Sequence, residues 1–166
     1  QEKAAQAACD RLLGHPTGSI ASMYPSQVVV DASIWVARLI PNDVNHAVSS
    51  KWLAGFRKSG GLLITPSLML PEVAGAVARR TGRPDLADEA LEVLQKLGNL
   101  RIVAMNNRLI RDAASIAGKH ALRGADSVYV ALASALDVSL LSLDAEHASR
   151  GGKLVTVIDP AEWPDT

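Results

Sequence analysis

Four acidic side chains stand where a regular element should start or stop: Asp31, Glu72, Asp126 and Asp144. Asp31 closes the β-branched run Val28-Val29-Val30, and Asp144 follows the apolar run Val138-Ser139-Leu140-Leu141. Glu72 and Asp126 fall near the starts of helices that should open at Pro66-Ser67 and Gly124, so they can point back over the carboxyl edge of a sheet. Converging carboxylates repel, and each raises the next one's pKa unless a cation neutralises them. An oxygen-only set of this kind suits Mg2+ or Mn2+, bound through a few carboxylates, waters and substrate phosphates. Such an ion can turn water into an attacking hydroxide and stabilise the leaving oxygen of a phosphodiester.

Taken singly, each acid also has a plainer use. Asp126 can interact with the dipole of its own helix. Asp31 and Asp144 can cap the turns that follow them, and Glu72 can be a solvated helix charge.

The elements that would position these acids alternate in type. Strands are predicted at Val28–Asp31, Leu62–Thr65, Leu100–Ala104, Val138–Leu141 and Leu154–Val157. Helices are predicted over Ile34–Ile40, Val44–Lys58, Ser67–Arg80, Asp85–Leu97, Asn107–His120 and Gly124–Leu136. Ser33 is positioned to cap the first of these, and Gly98-Asn99 to stop the fourth. Along Gly124–Leu136, residues Ala125, Val128, Leu132 and Leu136 recur at helical steps and make one face. Strands alternating with helices argue for an α/β domain with a parallel sheet of about five strands, covered on both faces. In such a sheet, ligands bind outside the carboxyl ends of the strands, where Asp31 and Asp144 fall.

The front of the chain is different. Residues 1–13 read as an Ala-rich amphipathic helix, and Gly14 to Gln27 is a linker by composition. The segment 1–27 is therefore expected to be appended to a domain spanning 28–166, with no task assigned to it. Gln1 in place of Met implies a trimmed start or a longer product.

The bulk composition narrows the function classes. With 166 residues and 48% hydrophobic but only 4% aromatic side chains, the chain can bury one aliphatic core. Seventeen basic residues balance 17 acidic ones, which argues against indiscriminate polyanion binding but allows a local basic patch beside an acidic pocket. Cys9 is the only cysteine, so an intrachain disulfide or a cysteine zinc site is excluded, which suits a reducing cytoplasm. No apolar run approaches the roughly 20 residues of a membrane span, and no uninterrupted apolar stretch marks a signal peptide. No phosphate-binding glycine motif is present, so a nucleotide cofactor has no support. His15, His46, His120 and His147 lack metal-binding pair spacing. His147 reads as a surface histidine, Asp112 and Asp137 as solvated helix charges, and Asp43 as a cap.

The order of the motifs adds what no single acid supplies. V-V-V-D-A-S at 28–33, P-S-L-M-L-P-E-V-A at 66–74, L-R-G-A-D-S-V-Y-V-A-L-A at 122–133 and L-L-S-L-D at 140–144 resemble the PIN-domain ribonucleases. The likeness is strongest to the VapC toxins of bacterial toxin–antitoxin pairs and covers about residues 28–159. It implies a three-layer α/β/α PIN-like fold whose Asp31, Glu72, Asp126 and Asp144 gather around one or two Mg2+ or Mn2+ ions and cut RNA. It also implies an antitoxin protein as partner and a homodimer. The family often carries Thr two residues before the last acid. Here Ser142 keeps the hydroxyl that could orient Asp144, and Ser33 is placed for a comparable role beside Asp31.

Basic residues flank the acids: Arg79, Arg80 and Arg83 end one helix, and Lys119 and Arg123 precede Asp126. Side chains of this kind position a nucleic-acid backbone without reading its sequence. With so few aromatics, a broad stacking platform for RNA is not expected. The competing expectation is a catalytically silent PIN-like module that binds RNA or a protein partner, against which the full set of four acids counts.

Overall fold

The computed structural model describes residues 24–163, so the expected helix over 1–13, Cys9, His15 and most of the linker lie outside the described residues. Within them the chain runs β1 (Gln27–Val30), α1 (Ala32–Leu39), α2 (His46–Lys58), β2 (Leu62–Pro66), α3 (Met69–Thr81) and α4 (Pro84–Gln95). It continues through β3 (Leu100–Val103), α5 (Asn107–His120), α6 (Gly124–Leu136), β4 (Ser139–Leu141) and α7 (Ala145–Ser149). A 3-10 turn (Gly151–Lys153) and β5 (Val157–Ile158) follow.

All five strands are parallel and ordered β3-β2-β1-β4-β5. β1 is central because it can be buried on both faces: Val28, Val29 and Val30 are wholly inaccessible. Val29 lies opposite Ile64 on one side and Leu140 on the other, and Leu140 lies opposite Val157. From β1 the chain winds outward through β2 to β3, then returns to place β4 and β5 on the opposite flank. Right-handed crossovers in opposite directions put their helices on opposite faces, which gives three layers, α/β/α. The reversal leaves a crevice at the carboxyl ends of β1 and β4, where open α/β sheets bind ligands.

Several boundaries differ from those predicted. α1 starts at Ala32, with Asp31 rather than Ser33 as its N-cap. The acid's side chain satisfies the Ser33 amide, one of the unpaired N–H groups of a helix start. α2 begins at His46, leaving Val44 93% exposed in the preceding turn. The last strand is Val157–Ile158 rather than Leu154–Val157, because Gly151–Lys153 coils into the 3-10 turn. α6 is buried all the way round from Asp126 to Ala133, so the single apolar face understates it, and Leu136 ends 43% exposed. A helix hydrophobic on every side has to sit inside the domain. Asp137 is exposed, as expected, but as the left-handed C-cap of α6 rather than a residue within the helix.

The few aromatics are used internally. Trp52 stacks on Phe56 at 5.0 Å and Tyr24 on Trp163 at 5.3 Å, forming one cluster at α2. Leu140 carries the strand that ends at the crevice and is fully buried between two neighbours. Leu140→Ala should lower the unfolding free energy by about 2–5 kcal/mol, read from urea denaturation. A change below about 1 kcal/mol would show that the sheet centre collapses around the missing side chain.

Candidate active site

Asp31 leaves β1 with its amide donating to the Leu141 carbonyl at 3.0 Å, which locks the acid to the end of β4. Its Oδ2 accepts from the Ser33 amide at 3.1 Å, the Ser33 hydroxyl at 2.5 Å and the Ser142 hydroxyl at 3.2 Å. Ser33 Oγ in turn accepts from the Leu143 amide at 3.1 Å, and Ser142 Oγ from the Asp144 amide at 3.0 Å. The two serines therefore tie the loop after β1 to the loop after β4. Asp144 caps α7 through Oδ1, which accepts from the Glu146 amide at 2.8 Å.

Asp126 and Glu72 arrive from helix starts. Asp126 lies in the first turn of α6, buried, and its Oδ2 accepts from Arg123 Nε at 2.6 Å. Arg123 Nη2 reaches Asp144 Oδ2 at 2.5 Å, so one guanidinium spans two of the four acids. Glu72 lies in the first turn of α3, and its Oε2 accepts from the Tyr129 hydroxyl at 2.5 Å.

The electrostatics follow from this crowding. Burial pushes the Glu72 carboxyl above the usual glutamate value, and the charges of Asp31 and Asp126 add to the rise, against the Tyr129 hydrogen bond. Burial also raises Asp126, with Asp144 adding, in spite of the Arg123 and His147 that favour its charged form. Burial, with Glu72 beside it, holds the Tyr129 phenol well above its ordinary range, so that it stays a hydrogen-bond donor. Glu72 thus feels Asp31 and Asp126 directly, and Asp126 feels Asp144.

Two residues were undervalued by sequence reasoning. His147 is not on the surface but wholly buried. Its Nδ1 lies 2.7 Å from Ser142 Oγ and its Nε2 lies 3.3 Å from the Asp126 carbonyl, so its ring joins the β4 end to the start of α6. The signal was its place one turn after Asp144, but the single-turn α7 that folds it inward is invisible to periodicity. Tyr129 follows Asp126 by three residues, which puts the two on one helix face. Its hydroxyl partner comes from α3, 57 positions away in sequence.

The flanking basic residues separate. Arg80 pairs with Asp43 at 2.6 Å, and Asp43 takes the Asn45 amide at 2.8 Å within the turn before α2, whose N-cap is Asn45 rather than the expected Asp43. Arg79 and Arg80 line a cleft of about 400 Å3 together with Ser33, Glu72 and Leu143, so this cleft opens beside the acids. Lys119 is exposed in the last turn of α5, and no described contact ties it to the acids. A larger cavity, about 570 Å3, lies elsewhere among Trp35, Leu53, Leu94 and Leu97, and none of the four acids lines it.

Among the described residues, no group of three or more His, Cys, Asp or Glu side chains stands ready to hold a metal ion. The donor chemistry nevertheless suits a hard cation: carboxylate and hydroxyl oxygens, with two carboxyls raised chiefly by burial and further by neighbouring acids. Two of those carboxylate oxygens are turned to Arg123 instead.

Residues 28–153 match the family model of the PIN domain. The chain belongs to the PIN-domain family. The expected three-layer PIN architecture is also what its structural neighbours share. A Mycobacterium tuberculosis VapC20, described as a sarcin–ricin loop cleaving toxin, superposes with a TM-score of 0.65 at 18% identity over 74% of this chain and 93% of its own. VapBC2 from Rickettsia felis, bound to a promoter DNA fragment, gives 0.62 at 12% identity over 80% of this chain and 97% of that one. FitAcB from Neisseria gonorrhoeae gives 0.61 at 17% identity over 81% and 99%. At these identities the likeness is one of fold. No curated protein sequence matches the chain.

The raised Glu72 carboxyl sets a sign. A group raised in the folded state contributes stability that is fully present below its unfolded pKa and is lost as pH rises through the folded value. For Glu72 that loss begins above the ordinary value of 4.5. Without metal, Glu72→Gln should therefore be at least as stable as the parent near pH 7, with the advantage disappearing near pH 4, because the amide oxygen still accepts from Tyr129. Denaturant unfolding in EDTA at both pH values measures this. A variant less stable than the parent at neutral pH would mean that the carboxylate is not crowded.

Proposed function

We propose that this PIN domain is a Mg2+- or Mn2+-dependent endoribonuclease, hydrolysing RNA phosphodiester bonds as the toxin component of a toxin–antitoxin pair. The observation that supports the reading is a chain of couplings at the carboxyl ends of β1 and β4: Glu72 with Asp31 and Asp126, and Asp126 with Asp144. A toxin that cleaves the sarcin–ricin loop shares the fold, as do chains described within toxin–antitoxin complexes, and this supports RNA as substrate and an antitoxin protein as partner. We also propose a homodimer working in the cytoplasm. No described helix is long and apolar enough to cross a membrane. The catalytic unit is taken as 28–166, with 1–27 appended, although Tyr24 already packs on Trp52 and Gln27 pairs with Leu62.

Asp31, Glu72, Asp126 and Asp144 are the ligands we assign to the ion. Once bound, the ion would polarise the phosphodiester and make water a nucleophile at neutral pH. The residues do the rest. Ser33 and Ser142 hold Asp31 in one orientation, and Ser142 fixes the backbone of Asp144. Tyr129 donates to Oε2 of Glu72 and so fixes the orientation of that carboxylate. Arg79 and Arg80, in the cleft beside Glu72, are assigned to the RNA backbone, with Lys119 as a more distant contact.

Asp126→Asn tests the acid set. In EDTA the variant should be as stable as the parent or more so, since a buried, crowded charge is removed. The rise in melting temperature on adding Mn2+ should shrink, because an ion that binds only the folded state stabilises according to its affinity. Cleavage of total RNA should fall about a hundredfold or more. A variant that keeps its Mn2+ response and cuts at the parent rate would remove Asp126 from the site. A parent that binds RNA but never cuts it with Mn2+ would make the protein a binding module.

Arg79→Ala should weaken RNA binding and reduce the slope of log affinity against log salt by about one, with Mn2+ affinity unchanged. An unaltered slope would return Arg79 to the solvated surface.

A further inference from the structure

Arg123 was expected to face RNA, yet it is turned onto the acids. Its Nε lies 2.6 Å from Asp126 Oδ2 and 3.5 Å from Glu146 Oε2, and its Nη2 lies 2.5 Å from Asp144 Oδ2. The side chain is itself 62% exposed, so the fork is anchored only at its charged end and can swing into solvent without opening the core. A guanidinium cannot shed its proton under ordinary conditions, and its planar donors suit two carboxylates at once. Among the described residues, the other hydrogen-bond donors to the four acids are backbone amides and hydroxyls, which add no charge, while the buried His147 Nε2 stands 4.0 Å from Asp126 Oδ1 on the interior side.

A divalent ion held by Asp126 and Asp144 would share carboxylates that Arg123 already occupies, and so would sit near a fixed positive charge. Two cations on one pair of carboxylates repel. We infer that Arg123 is a displaceable internal counter-charge, a positioning residue that holds Asp126 and Asp144 together in the metal-free protein and must leave when the ion binds. This rests on the metal-site reading above and deepens it. It assigns a chain-encoded competitor to the ion, so that the affinity for Mg2+ or Mn2+ is set partly by the ease of releasing Arg123.

The rival role has the opposite sign. If Arg123 stays in place and merely orients the acids, removing it weakens metal binding. Calorimetric titration of Mn2+ into the full chain, its Arg123→Gln variant and its Arg123→Lys variant decides between them. Arg123→Gln should bind Mn2+ about tenfold more tightly than the parent. Arg123→Lys, which keeps the charge but loses the fork, should fall between. Arg123→Gln should also melt below the parent in EDTA and draw level with it in saturating Mn2+, whereas loss of ordinary packing would lower both. In the parent, the Arg123 Nε–H resonance, identified by its absence from Arg123→Gln, should move on titration with diamagnetic Mg2+. Mn2+ binding that is equal or weaker in Arg123→Gln, or an Nε–H signal unmoved at saturating Mg2+, overturns the inference and leaves the metal site standing. A parent and an Arg123→Gln variant that both fail to bind Mn2+ overturn the inference and the metal-site reading together.

Discussion

Keeping four like charges close together is the physical constraint on which this structure depends. Each acid sits at the amino end of a helix: Asp31 caps α1, Glu72 is in the first turn of α3, Asp126 in the first turn of α6, and Asp144 caps α7. The exposed N–H groups there carry partial positive charge, and each offsets part of the repulsion. Capping a helix and contributing to a site are therefore one arrangement here, since four helix starts converge on one crevice. Convergence is enforced from below by β1 and β4, whose inaccessible Val and Leu side chains leave the strand ends little freedom.

The support around the acids is mostly neutral. Ser33, Ser142 and Tyr129 donate hydrogen bonds that fix oxygen positions while leaving the net negative charge in place. His147 ties this set to α6 from inside the domain, where its ring also meets the edge of Tyr129 at 6.2 Å. Arg123 is different: it neutralises as well as holds, and it comes from the exposed side of the crevice. The neutral braces lie in the interior and Arg123 faces solvent, an arrangement that suits the proposed exchange of an ion and a polyanionic substrate.

The aromatic residues mark what the domain does not offer to RNA. Tyr24, Trp52, Phe56 and Trp163 pack on one another, and Trp35 and Tyr129 are buried. On the proposed function, recognition of RNA would rely on backbone charge and on the cleft beside Glu72 rather than on base stacking.

Much of this was legible in the sequence because it is local. A run such as Val28-Val29-Val30 followed by Asp31 dictates a buried strand ending in an acid. The alternation of such runs with helical periods dictates a parallel sheet whose carboxyl edge gathers the acids. The motif order from V-V-V-D-A-S to L-L-S-L-D pointed to the PIN family, to which the chain belongs. Partnerships between distant segments were not legible. Tyr129 meets Glu72 across 57 positions, Ser142 meets Asp31 across 111, and Arg123 meets Asp144 across 21. Periodicity reports which face of an element is apolar, but not which neighbour that face will meet. His147 became interior and Arg123 became a bridge only when tertiary packing brought four helix starts to one place, where a ring could fill the space beneath the acids and a cation could neutralise them from above.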